Sequence, residues 1–146
     1  MRTLFSFIIV YLLSFNAFAI NIDFKRTEWK ELDLPNRFPQ TFFVSKKITP
    51  LYFETGENFS HLSEFLMKLN KNELKVDIEE DDRIKIKKMT TLLLKSINNQ
   101  GIDIKKGYLI NVSVSKLFTC GPCTEQESYV KILNLNNINV INIYLI

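Results

Sequence analysis

Hydrophobic and polar positions alternate with two different periods along this chain, and the periods mark out its elements. In Tyr108–Ser115 the apolar residues Ile110, Val112 and Val114 alternate with polar ones, which predicts a strand with those three on one face. Ile138–Ile146 is a mostly apolar run and predicts a buried strand. Between them Lys116–Thr119 turn a corner, and Cys120–Leu133 reads as a helix that the cysteines open. Asn58–Leu69 has helical spacing: Phe59, Leu62, Phe65, Leu66 and Leu69 share one face, and Asn58 or Ser60 is placed to cap it. Thr41–Val44 and Leu51–Phe53 predict two short strands on either side of Lys46–Pro50. Leu74–Ile78 and Arg83–Lys87 both alternate, and Glu79–Asp82 lie between them, which predicts a hairpin with an acidic, solvated turn. Met89–Asn99 predicts a helix with Leu93, Leu94 and Ile97 inward, ended by Asn98–Gly101, and Ile102–Gly107 a connector.

Taken together, the elements predict an α/β fold, a mixed sheet of four to five strands flanked by helices. The strands before and after the cysteine helix should be neighbours and parallel, because a helical crossover joins them. Residues 20–56 are the least legible. Trp29, Leu32, Leu34 and Phe38 could pack on a domain, but Pro35 and Pro39 forbid a continuous helix. The expectation is an N-terminal extension over 20–56 packed on a domain spanning 57–146.

The first nineteen residues carry a different signal. Arg2 gives a short basic start, Leu4–Phe15 an apolar run, and Ala17-Phe18-Ala19 the small residues of a cleavage site. The run is shorter than the roughly 20 residues a permanent span needs. Residues 1–19 are therefore expected to be a signal peptide, which predicts export to a periplasm or the cell exterior and no permanent membrane span. The formal net charge is only +3, too small to point to nucleic acid by itself. The lone histidine, His61, lies beside the apolar stripe of its helix and reads as a surface residue.

Two cysteines exclude a disulfide-rich scaffold, but their placement at Cys120 and Cys123 concentrates the chemistry. A helix N-terminus carries unpaired N–H groups and positive partial charge, so thiolates there are stabilised. The pair suits metal binding or redox exchange. After export, cysteines so close in sequence could also be oxidised to a disulfide.

With the elements in this order, Asn58–Ile146 resembles the zinc-dependent nucleobase (cytidine) deaminase superfamily, particularly its bacterial polymorphic-toxin branches. The resemblance rests on Val114-Ser-Lys-Leu-Phe-Thr-Cys-Gly-Pro-Cys123, a following helix, and Asn137-Ile-Asn-Val-Ile-Asn-Ile143. It implies a cytidine-deaminase-like fold, zinc held by Cys120 and Cys123, and a nucleotide or nucleic acid as partner if the protein is active. Deaminases also place a third ligand, and a glutamate two residues later, at the start of the preceding helix. Here the corresponding place is Met89-Thr90-Thr91, which supplies neither, and Thr119 stands where the family carries proline. The resemblance therefore implies an exported toxin- or effector-type protein that lacks ordinary deaminase activity or uses an unusual site.

Phe118-Thr-Cys-Gly-Pro-Cys123 is also similar to the active-site stretch of thioredoxins. That resemblance makes Cys120 the exposed nucleophile and Cys123 the resolving thiol. It also requires a further helix, a strand pair and a cis-proline beside the cysteines. Only 23 residues follow Cys123, and no proline follows Pro122. Three functions stay open from the sequence: a deaminase-like effector, a thiol–disulfide oxidoreductase, and a non-catalytic protein that keeps the fold and binds a protein partner.

Overall fold

The computed structural model describes residues 19–97, 107–114, 120–132 and 138–146. The predicted signal peptide falls almost wholly outside these residues, as do the corner expected at 116–119, the helix end at 98–101 and the connector at 102–107 except Gly107. Among the described residues, nine elements follow in order. They are β1 (Ile20–Phe24), α1 (Arg26–Lys30), β2 (Gln40–Ser45), β3 (Pro50–Thr55), α2 (Phe59–Asn70), α3 (Glu80–Ile97), β4 (Gly107–Val114), α4 (Gly121–Ile132) and β5 (Asn139–Leu145). The strands form one mixed sheet in the order β1-β5-β4-β2-β3, so the class is α/β as the periodicities imply.

β4 and β5 are parallel neighbours, with Ile110 beside Ile141 and Val112 beside Ile143. The helix between them is α4, as expected for a crossover. β4 is central and buried on both faces: seven of its eight residues are buried. It runs antiparallel to β2, whose residues 40–44 are buried as well. Gly107 starts β4 opposite Ser45, with φ +155°, and an added Cβ would stand 2.5 Å from the Val44 carbonyl oxygen. Only a residue without a side chain allows β2 and β4 to close at that point.

The segment expected as a packed extension is woven into the sheet. β1 pairs in parallel with β5 from Ile20 beside Ile141 to Phe24 beside Leu145. β2 and β3 form an antiparallel pair. Residues 20–56 thus provide three of the five strands.

Each face of the sheet has its own core. On one face, Trp29, Leu32 and Leu34 pack with Ile86, Met89 and Leu93 of α3 over Phe42, Tyr108, Ile110 and Ile143. On the other, Leu62, Phe65 and Leu66 of α2 and Val130 of α4 cover Phe43, Leu109 and Val140. α2 and α4 therefore share one face and α3 takes the opposite one.

Two expectations are corrected here. Leu74–Ile78 and Arg83–Lys87 do not form a hairpin: 74–78 is not a strand, and 80–97 is one continuous helix. Glu80, Asp81 and Asp82 occupy the first turn of α3, where the helix dipole favours negative charge. The alternation over 83–87 was misleading because only Ile86 of its two isoleucines is buried; Ile84 is 60% exposed. The second correction concerns Met89–Thr91. These residues lie within α3 rather than at a helix tip, and Met89 is 1% exposed in the core across the sheet from α4. They do not face the cysteines.

Candidate functional site

Cys120 immediately precedes α4, and its carbonyl accepts the Thr124 N–H at 3.1 Å and the Thr124 hydroxyl at 3.2 Å. The Sγ of Cys120 in turn accepts the N–H of Cys123 at 3.3 Å. That N–H belongs to the first turn of α4, among the donors a helix leaves without internal partners. The two sulfurs are bonded to each other, with the Cα atoms 5.3 Å apart. The pair is asymmetric. Cys120 is half-buried, whereas Cys123 is 5% exposed. Gly121 and Pro122 between them are exposed, and apart from chain neighbours and the helix's own backbone no atom of the described residues lies within 4 Å of where a Cβ on Gly121 would stand. A second molecule therefore has room to approach at Gly121, between the two cysteines.

The first two turns of α4 are held down by a buried polar network. Gln126 is fully buried; its Nε2 donates to Asn58 Oδ1 at 2.7 Å and to Thr41 Oγ1 at 3.2 Å. Its Oε1 accepts the backbone N–H of Asn58 at 3.2 Å. One side chain thus ties α4 to the start of α2 and to β2. Asn58 does stand at the cap position of α2, but its side chain makes no capping bond; Gln126 takes it instead. Beneath α4 the polar residues Thr41, Asn111, Asn142 and Asn21 lie side by side across β2, β4, β5 and β1. Asn142 Nδ2 donates to Asn21 Oδ1 at 3.1 Å.

Pro39 enters the same neighbourhood. It precedes β2, and because Gln40 pairs with Val112, it stands at the end of β4 from which the chain leaves toward Cys120. The Phe38–Pro39 peptide is cis, and the Pro39 carbonyl accepts the Gly56 N–H at 2.7 Å. Next to Gly56, Glu57 reaches across to Glu125 of α4. A hydrogen bond with the Glu125 carboxyl, aided by desolvation and by the charge of Glu125, holds Glu57 above the usual carboxylate range. Phe59 and Tyr129 extend this contact with ring centroids 4.7 Å apart.

A second polar cluster lies apart from the cysteines, on β3 and α2. Glu54 accepts the Tyr52 hydroxyl at 2.9 Å, and its other oxygen is 2.7 Å from His61 Nδ1. The cluster lines a groove of about 260 Å³ with Glu64, Lys68 and Lys75. His61 is exposed, as its sequence position implied, but it is held by Glu54. The Glu54 hydrogen bond, then its charge, raises the His61 pKa.

Of the residues predicted for chemistry, the structure brings Cys120 and Cys123 together and keeps Met89–Thr91 away from them. Among the described residues, no three His, Cys, Asp or Glu side chains converge as a metal site. A disulfide offers no thiolate, so zinc binding by Cys120 and Cys123 requires the reduced pair. Among the described residues, no helix is long and apolar enough to cross a membrane. Gln126, Thr41 and Glu57 escaped the sequence reading, since only the fold brings Thr41 and Glu57 against the helix that the pair opens. Asn58 was legible as a cap, but its partner was not.

Fold and site together define an α/β protein with a Cys-Gly-Pro-Cys disulfide at the start of the crossover helix of a mixed five-stranded sheet. Comparison with protein-family models, with curated proteins and with solved structures finds no match.

Proposed function

We propose that this chain is an exported thiol–disulfide oxidoreductase working through Cys120 and Cys123. The observation that carries the reading is the asymmetry of the bonded pair: a half-buried Cys120 at the positive end of α4 and a buried Cys123 one turn on. Helix dipole and N–H donation favour a thiolate on Cys120, and burial reserves Cys123 for attack within the molecule. The thioredoxin resemblance asked for a further helix, a strand pair and a proline beside the cysteines. A helix and a strand pair, α2 and β2–β3, precede the cysteine helix in the chain, and α2 packs on the same face of the sheet as α4.

Starting from the reduced pair, the Cys120 thiolate attacks one sulfur of a substrate disulfide. A Cys120–substrate disulfide forms and the substrate's other sulfur leaves as a thiolate. Cys123 then gives its proton to water and attacks Cys120 Sγ, forming the Cys120–Cys123 bond and releasing the second substrate thiolate. Two electrons pass from the protein to the substrate, and the reverse sequence oxidises a dithiol. The expected result is that reduced protein cleaves an aromatic disulfide reagent, that Cys120→Ser abolishes the reaction, and that Cys123→Ser accumulates a covalent adduct visible by mass spectrometry. A reduced protein no faster than free cysteine, with no adduct on Cys123→Ser, rejects the proposal.

A second reading keeps the deaminase resemblance, and one contact favours it. The residue pair before the start of α2 brings Glu57 against Glu125, which stands two positions after Cys123 on α4, whereas Met89–Thr91 lie across the sheet. On this reading the reduced Cys120 and Cys123 hold zinc in a cytidine-deaminase-like effector that acts on a base of a nucleotide or nucleic acid. Metal analysis of the reduced, purified protein decides it: one zinc per chain, lost in Cys120→Ser, supports it, and no bound zinc removes it.

A further inference from the structure

The outer face of α3 carries a pattern that neither reading of the cysteines uses. Buried Ile86, Met89, Thr90 and Leu93 face the sheet. The opposite stripe is exposed along its whole length: Asp81, Ile84, Lys88, Thr91, Leu92 and Lys95, at three- and four-residue spacings. Ile84 is 60% and Leu92 45% exposed, two large apolar side chains on one narrow face of a helix that buries Ile86, Met89, Leu93 and Leu94. With Lys87, Lys88 and Thr91 they line a shallow depression of about 350 Å³. The Thr91 hydroxyl is satisfied by the Lys87 carbonyl at 2.8 Å, so it asks nothing of a partner.

The order of residues along the stripe is self-complementary. Acid lies at its N-terminal end, Lys95 at its C-terminal end, and the two exposed apolar residues stand four positions either side of Lys88. Laying a second α3 antiparallel across the first, with the two-fold axis at Lys88, sets Asp81 against Lys95 of the other copy and Ile84 against Leu92. Each contact occurs twice, as an isologous interface requires. We propose that this stripe is a homodimer interface in which two copies of the chain pair α3 against α3, antiparallel.

An anionic membrane is a poorer occupant. The exposed stripe itself offers only Lys88 and Lys95, with Lys87 beside them and Asp81 opposing them, whereas lipid-binding clusters carry about 4–8 basic residues. An acidic protein partner would leave the Asp81 carboxylate opposed by like charge; a second copy answers both ends. The two Lys88 ammonium groups meet at the axis and keep the association weak. Because α3 and α4 lie on opposite faces of the sheet, each cysteine pair would point away from the partner and stay accessible.

Sedimentation equilibrium of the full mature chain up to about 1 mM tests this. Lys88→Leu should tighten dimerisation by about tenfold or more, and Ile84→Asp should abolish it. Asp81→Lys and Lys95→Asp should each weaken it, and the double variant should restore it. All these positions are exposed, and far-ultraviolet circular dichroism checks that folding is unchanged. A Lys88→Leu protein that remains monomeric, a dimer indifferent to Ile84→Asp, or a double variant no better than the singles overturns the proposal. So does a monomer that binds phosphatidylglycerol vesicles through this stripe.

Discussion

Gln126 and Asn58 are 68 positions apart in sequence and hold each other by two hydrogen bonds, Asn58 N–H to Oε1 at 3.2 Å and Nε2 to Asn58 Oδ1 at 2.7 Å. Both residues are buried, so neither side chain has water as an alternative partner. Gln126→Leu removes these bonds and the one to Thr41 while keeping much of the volume. Leaving buried donors and acceptors unpaired costs about 1–3 kcal/mol. The urea midpoint should fall accordingly, with the slope unchanged.

Gly107→Ala places a Cβ 2.5 Å from the Val44 carbonyl oxygen, which is backbone and fixed by strand pairing. Relief requires β2 and β4 to move apart at the edge of two cores. A loss of about 1–3 kcal/mol is expected, the usual scale for overpacking. Thermal unfolding compared with the wild-type chain measures it.

His61 shows a dependence on pH with a definite sign. Its folded pKa is raised, first by the Glu54 hydrogen bond and then by the Glu54 charge. The contribution to stability is therefore fully present below the unfolded value of about 6.5 and is lost as pH rises through the higher folded value. Histidine proton shifts followed by NMR should titrate above the ordinary value, and Glu54→Gln should return them toward it. A His61 titrating at or below the ordinary value in the wild-type chain contradicts the geometry.

Met89→Ala tests where α3 lies. Met89 is 1% exposed in the core across the sheet from the cysteines. Truncation should cost about 2–5 kcal/mol of stability. At a temperature where the variant is still folded, the disulfide-cleavage rate per molecule should stay that of the wild type. A selective loss of thiol chemistry would place Met89 at the site after all.

In the reduced protein the two cysteines should alkylate at different rates. Cys120 is half-buried and Cys123 is 5% exposed, so iodoacetamide should modify Cys120 first under native conditions. Peptide mapping at short times reads the ratio, and denaturant should erase the difference.

How much of this was legible in sequence follows from which forces leave a local trace. β4, α4 and β5 were readable because alternation, a buried apolar run and a helix start each write a pattern within one element. Their parallel pairing followed from the crossover. β1 was not readable: five residues of Ile-Asn-Ile-Asp-Phe are too few to stand out, and β5, the strand they pair with, begins more than a hundred positions later. α3 was misread because Arg83–Lys87 satisfies a period of two as well as a helical one. The three acids before it, which favour a helix start, were the better guide. At the site, the cysteine spacing announced itself, whereas Gln126 looks like any glutamine in a polar helix. Nothing local marks it as fully buried against Thr41 and Asn58.

Strand β5 lies between β4 and β1, and both neighbours are parallel to it. Among the described residues β1 pairs with β5 alone, and the two are separated by more than a hundred positions of chain. The sheet is therefore closed by contacts of very large sequence separation, which makes for slow and all-or-none folding.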